Sequence, residues 1–372
     1  MKARIFISAV VGMVMLLATA EANGAANADG WSVAMPGWQY QFPRDHGPHR
    51  DFKSEWWYFT GNLVAADGRE FGYEMTWFRQ GVMPKRPEGA SRFVVQDFKF
   101  AHFAISDIPA GQFYFAQKIS RGAYGEAGFG DGHVGPLAWI DDWRLNIDPG
   151  GAWHIAAADG GRRVELRLTP VKGPVIEGEQ GISRKAAGEG HASCYYSFTR
   201  MRAEGRLTLD GGAPLEVTGE TWFDHEWATN QLAKDQAGWD WFCVQLGDGT
   251  ELMLYRMRLK NGEVDPASSG TWTRKDGTVV YLKAGDFQLT PLRWWKSGAT
   301  AGNYPIRWRL EIPRLKLELE ISTPFEDQEL HFPTITYWEG LTHATGTAAG
   351  VPLTGHGYME LTGYDTALDM SE

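Results

Sequence analysis

The stretch SEWWYFTGNLVAADGREFGYEMTWFRQ, residues 54–80, decides the fold class. Glu55 to Leu63 is an aromatic-rich run, Asp67-Gly68 is a turn pair, and Glu70 to Phe78 is the return. Aromatic runs on both sides of Asp-Gly predict an antiparallel hairpin, not a helix. Strand alternation places Phe71, Tyr73, Met75 and Trp77 on one face and Glu70, Gly72, Glu74 and Thr76 on the other. The same grammar returns at 239–259, where WDWFCVQL crosses Gly-Asp-Gly into TELMLYRMRL. This is a weak internal similarity of the kind a duplicated architecture leaves.

Between and after the two hairpins the chain keeps to short strand-like segments. DFKFAHFAISD, GQFYFAQKIS, DDWRLNI, IRWRLEIP and LKLELEIST are examples. Long amphipathic helices are scarce, and Pro291, Pro305, Pro313 and Pro324 punctuate the second half. The expected fold is all-β: two antiparallel β-barrels or strongly curved sheets, meeting near residues 215–235. A single extended sandwich is the structural alternative. Closing a sheet removes its edges and can leave an interior cavity.

With 372 residues, 43% of them hydrophobic, the chain can build one large core or two medium ones. Its 17 tryptophans favour large cores, deep pockets or both. A formal charge of −10 argues against a general nucleic-acid binder, which needs a basic footprint. Residues 1–28 read as a secretory signal: Lys2 and Arg4, an apolar segment from Ile5 to Ala18, then small residues. A periplasmic or secreted protein is therefore expected, with mature domains at 38–225 and 236–366. No later run is long and apolar enough to predict a transmembrane segment in the mature chain. Cys194 and Cys243 could pair in an oxidising compartment, but buried free thiols are the preferred reading. No GxSxG elbow, Walker loop, dinucleotide fingerprint or CxxC pair occurs, so no cofactor is expected.

Chemistry concentrates in TWFDHEWA, residues 221–228. Asp224, His225 and Glu226 lie between Trp222 and Trp227, with Trp239 and Trp241 following. An aspartic acid buried among apolar groups keeps its proton, because burial disfavours the carboxylate. Asp224 is thus the candidate acid, with His225 or Glu226 orienting water or retuning it. The tryptophan faces can pack around a ligand and stabilise positive character. The competing reading makes Asp224 a hydrogen-bonding residue at a domain junction and the tryptophans ordinary core. Alternation adds a constraint: without a bulge, Trp222, Asp224 and Glu226 share one face while His225 and Trp227 take the other. RDHGPHRDFKSEWW, residues 44–57, is a second candidate edge, with His46 and Glu55 as possible contacts to Asp224 across a cavity. Its spacing spells no zinc motif, and hydrogen-bonded packing is preferred to a metal. Tyr195 and Tyr196 could line the cavity or alternate between faces. Tyr337 and Glu339 share a face in a late segment that could close the second barrel or join the interface between barrels; Tyr358 and Glu360 could form a polar lining, with packing against the adjoining strand the simpler reading.

Taken together, FPRDHGPHRDFKSEWWYFTGNL, FGYEMTWFR, EGEQGISRKAAGEGHASCYYSFTR, GETWFDHEWATNQL and GWDWFCVQLGDGTELMLYRMR resemble the carotenoid 1,2-hydratase and AttH-like family. TYWEGLTHATGTAAGVPLTGHGYMELTGY extends the resemblance more loosely. It implies paired lipocalin-like β domains, frequently exported, some members of which hydrate isolated carbon–carbon double bonds in isoprenoids. The hydratase branch carries a WHDHNW-like segment; here Asp224 and His225 match while Phe223 and Glu226 depart. With the export signal, this sets the chain closer to the AttH-like branch. The resemblance therefore implies binding or processing of a small hydrophobic or isoprenoid-like molecule, with alkene hydration as the enzymatic form. The alternative is a non-catalytic envelope or transporter accessory with a protein partner.

Overall fold

The computed structural model describes residues 26–91, 93–132 and 135–368, so most of the expected signal lies outside the described residues. Among them there is no α-helix; three short 3-10 turns interrupt a chain of β-strands in two antiparallel sheets. The fold is lipocalin-like, with one nearly closed barrel and one half-barrel.

The opening hairpin forms as its sequence requires: strands Ser54–Ala65 and Glu70–Gly81 pair in continuous register across the Asp67-Gly68 turn. Gly68 takes a φ of 85°, which a side chain would resist. Ser54–Ala65 pairs on its other edge with Leu215–Ala228, and the first sheet curls on through Ala192–Thr208 and Arg162–Pro170 to the short strands Ala127–Phe129 and Ala138–Ile140. At the seam, Lys118 on Gln112–Ser120 reaches Asp142 at 2.5 Å, just before Trp143–Ile147. The interior is packed with Trp57, Trp77, Trp143 and Trp153, each no more than 1% exposed. Truncating one such tryptophan to alanine typically costs about 3–5 kcal/mol.

The second sheet begins with the hairpin of Gln236–Leu246 and Glu251–Leu259, and runs in the other direction through Val351–Thr362 and Thr336–Ala348 to Gln288–Lys296. Its concave face carries Phe242, Trp308, Trp338 and Leu361 in a separate core. A bulge at Gly238, with φ of 155°, lets the strand enter this sheet; a β-carbon there would lie 2.6 Å from the Thr362 carbonyl oxygen.

The outer faces of the two sheets are buried against each other. Tyr58, Tyr195, Trp222, Trp241, Met253, Leu341 and Tyr358 form one apolar cluster across the junction. Polar ties accompany it: Gln245 Nε2 donates to the Thr199 and Thr221 carbonyls at 2.9 and 3.2 Å, and Arg200 Nε meets Glu251 at 2.7 Å. This explains why Glu74 and Thr76, on the polar face of the first hairpin, are as buried as Phe71 and Tyr73 on its apolar face. Both cysteines are buried free thiols; Cys194 lies in the first barrel's core and Cys243 in the junction cluster.

Candidate active site between the two sheets

Leu215–Ala228 meets Ser54–Ala65 without a bulge, pairing Trp57 with His225, Tyr58 with Asp224 and Trp56 with Glu226. Alternation is therefore strict, and the acidic trio divides. Trp222, Asp224 and Glu226 point to the sheet junction, whereas Phe223, His225 and Trp227 point into the first barrel.

A cavity of about 590 Å³ opens in the junction, within the size range of small-molecule sites. Trp56, Tyr58, Trp239, Trp241, Tyr255 and Tyr337 supply its aromatic wall. Asp224, Glu226, Lys185, Glu339 and Glu360 are among its charge-bearing groups. Asp224 is 3% exposed and accepts hydrogen bonds from Tyr195 Oη at 2.7 Å, Ser197 Oγ at 2.5 Å and Trp222 Nε1 at 2.7 Å. Burial dominates and raises its pKa to about 7, against the lowering effect of those three donors. Trp241 Nε1 donates to the Tyr195 hydroxyl at 3.2 Å, so that oxygen joins Asp224 to the aromatic wall. Glu226 pairs with Lys185 at 3.0 Å and accepts from Gln231 at 3.1 Å. Burial works against the Lys185 ammonium, but Glu226, together with Tyr255 and Asp224, raises the lysine's pKa.

His225, Trp227, Tyr196, His46 and the Glu55 carboxylate belong to a different network, inside the first barrel; the structure does not bring them to Asp224. Glu55 sits in the wall between the two, yet its carboxylate is committed inward to His49 at 2.8 Å, His225 at 3.0 Å and Arg79 at 3.0 Å. His225 Nδ1 donates to the Asp45 carbonyl at 3.0 Å, and His46 Nδ1 meets the Tyr196 hydroxyl at 2.7 Å. Burial holds His46 down at about 3 and also lowers His225. His49 rises instead: burial opposes its charge, but hydrogen bonds to Asp45 and Glu55 prevail. His49 also stacks on Trp227, ring centroids 3.7 Å apart. The ligand atoms of His49, Glu55 and His225 lie within 4.8 Å of one another, a spacing that could hold a metal. A cation there would have to break both histidine–glutamate bonds and sit beside the Arg79 guanidinium. The donor set is better matched as an ion-pair network than as a metal cradle.

Lys185 escaped the sequence reading of the site, in which Glu360 is a possible polar lining and Tyr337 and Glu339 are possible residues of the interface between barrels. Glu339 and Glu360 are direct cross-strand partners on Thr336–Ala348 and Val351–Thr362. Tyr58 donates to Glu339 across the junction, and Trp239 Nε1 donates to Glu360 at 3.0 Å. Tyr337, two residues before Glu339 on the same strand, meets His102 Nδ1 at 2.7 Å, while Gln117 Nε2 donates to His102 Nε2 at 2.8 Å. That bond leaves His102 as the Nδ1–H tautomer and frees the Tyr337 proton. The alternation of Tyr337 with Glu339 and of Tyr358 with Glu360 was visible; the register that sets the two glutamates side by side was not.

Burial raises Glu74, Glu177 and Glu360 to about 8 and Glu339 well above the ordinary carboxylate range. Each of these acids binds its proton more tightly when folded. Their stabilisation is complete below the unfolded pKa near 4.5 and is lost as pH rises through 7 to 8. The thermal midpoint should therefore fall between about pH 5 and 8, and Glu360→Gln should flatten that fall. A midpoint that does not vary over this range in the wild type would contradict the assignment.

A family model described as AttH-like matches residues 33–364. The chain belongs to the AttH-like family. This AttH-like chain is 32% identical to a crystal structure described as AttH from Nitrosomonas europaea, at a TM-score of 0.79 over 90% of this chain and 99% of that one. Kievitone hydratase from Nectria haematococca shares the fold at 15% identity, with a TM-score of 0.68 over 92% and 97% of the two chains. CghA is more distant, at 14% identity and a TM-score of 0.52 over 85% and 90%. No curated protein sequence matches the AttH-like chain.

Proposed function

We propose that this protein binds a small hydrophobic molecule in the junction cavity and hydrates an isolated alkene on it. The observation that carries the reading is the Asp224–Tyr195 pair, a buried acid linked to a phenol at the aromatic wall. With Asp224 protonated, its O–H donates to the Tyr195 oxygen, and the Tyr195 proton is delivered to one alkene carbon. The π electrons form the new C–H bond, and the positive charge left on the other carbon faces the indole rings. Water attacks that carbon and loses a proton that returns to the Asp224 carboxylate, so the acid is restored and the net change is addition of H and OH. Kievitone hydratase, by its name, performs hydration on the same fold, which supports the reading without deciding it.

A binding role without turnover is the second reading. It is favoured by the three hydrogen bonds already made to Asp224, an arrangement that also suits a structural anchor. Incubating the folded protein with a metabolite extract, followed by native mass spectrometry and then labelled water, separates the two. A retained alkene that gains one labelled water supports hydration; retention without mass gain supports carriage. Recovery of a protein partner with no retained metabolite would overturn both.

We further propose export, from the signal-like residues 1–28. The mass of the protein recovered from its native compartment should lack this segment. A cytoplasmic product with Met1 intact would contradict the proposal.

A further inference from the structure

We infer that the junction cavity selects an apolar ligand bearing one positively charged nitrogen, seated against Glu339 and Glu360. The inference rests on the cavity being the ligand site and adds the chemical class of its occupant.

The cavity contains more acid than base. Its two basic side chains are already engaged, Lys185 by Glu226 at 3.0 Å and Arg79 by Glu55 at 3.0 Å. Among the described residues, Asp224, Glu339 and Glu360 on its wall have no cationic partner, nor does Glu74 in the adjoining junction. Asp224 is filled by its three donors, whereas Glu339 and Glu360 each have one, from Tyr58 and Trp239. The Glu74 Oε2 atom is buried beside this pair with no hydrogen-bond partner among the described residues. Two carboxyl groups placed directly across neighbouring strands repel when ionised, and burial amplifies the effect. Without a ligand the pair avoids that repulsion by keeping its protons; a ligand cation between them favours ionisation of both carboxyl groups, and a ligand anion opposes it.

The cavity also shows how it holds a cation. The Lys185 ammonium rests against the Glu226 carboxylate and lies 4.2 Å from the Tyr255 ring centroid and 5.0 Å from that of Tyr195. Carboxylate on one side and aromatic faces on the other are the elements of ammonium recognition. Glu339 and Glu360 repeat the combination with Tyr58, Trp239 and Trp241, and there the cation is not supplied by the chain. Tyr58 and Trp241 stand edge to face, ring centroids 5.3 Å apart, next to Glu339.

Three probes of nearly equal shape test this by quenching of tryptophan fluorescence: 2-(1-naphthyl)ethylamine, 2-(1-naphthyl)ethanol and 1-naphthylacetate. The amine, protonated at pH 7, should bind at least about tenfold more tightly than the alcohol, and the acid should bind most weakly. Glu339→Gln/Glu360→Gln should reduce the preference for amine over alcohol to within about threefold. If the double variant fails to fold, Glu360→Gln alone, at the more accessible position, should still shrink the preference. Alcohol binding equal to or tighter than amine binding in the wild type would overturn the inference and leave the cavity reading intact. Absence of binding by all three probes would overturn the cavity reading with it.

Discussion

Asp224→Asn should fold as the wild type does and lose addition of labelled water to a captured alkene by a factor on the order of 10² to 10⁴. Asparagine keeps the size of the side chain and can still accept from Ser197 and Trp222, but it has no acidic proton to pass to Tyr195. Tyr195→Phe breaks the same relay one atom later and should lose a comparable factor. Trp222→Phe removes only a donor to Asp224 and should retain most of the turnover. The reading is checked by single-turnover incorporation of isotopic water, with ligand retention measured in parallel. Unchanged turnover in folded Asp224→Asn would remove Asp224 from the mechanism. Equal ligand retention by wild type and variant, with product in neither, would favour carriage.

The second large effect belongs to stability. Glu55→Gln should cost about 3–5 kcal/mol, because it leaves the Arg79 and His49 charges buried without their shared anion. Burial alone would raise the Glu55 pKa, but hydrogen bonds from His225 and His49, with the charges of His49 and Arg79, hold it far below the carboxylate range. A depressed folded-state pKa gives stability that is present above the unfolded value near 4.5 and is lost as pH falls below it. Denaturant titrations from pH 3 to 7 should therefore show the variant weakened most at pH 7 and converging on the wild type in acid. A uniform offset across that range would point to a packing defect instead of a lost ion pair.

The architecture was legible because its signals are local. The Asp-Gly hairpins at 54–80 and 239–259 fix strand, turn and register within a few residues, and their aromatic content predicted curved sheets with large cores. The division of Asp224 from His225 was also readable, since it follows from alternation along one strand. Less could be read where two strands distant in the chain meet. The residues His46, Tyr196 and Glu55 sit near Asp224 in sequence-derived expectation but turn into the first barrel, a choice set by pairing along Ser54–Ala65. Conversely, Glu339, Glu360 and Lys185 reach the cavity through inter-sheet packing, which leaves no mark on local periodicity. Which face would line a cavity was not readable for the same reason: tryptophans pack the first barrel's interior, and the cavity that holds Asp224 lies where the two outer faces meet.

Because the sheets are buried on both faces, neighbouring positions on one strand answer to different demands. Residues 57, 223, 225 and 227 serve the barrel interior, while 56, 58, 222, 224 and 226 serve the junction. The two sets can drift almost independently, so a lineage can exchange one ligand for another without reopening its cores. A library that randomises only positions 56, 58, 239 and 241 would sample new specificities on an unchanged scaffold, with every inward-facing neighbour left as a fixed frame.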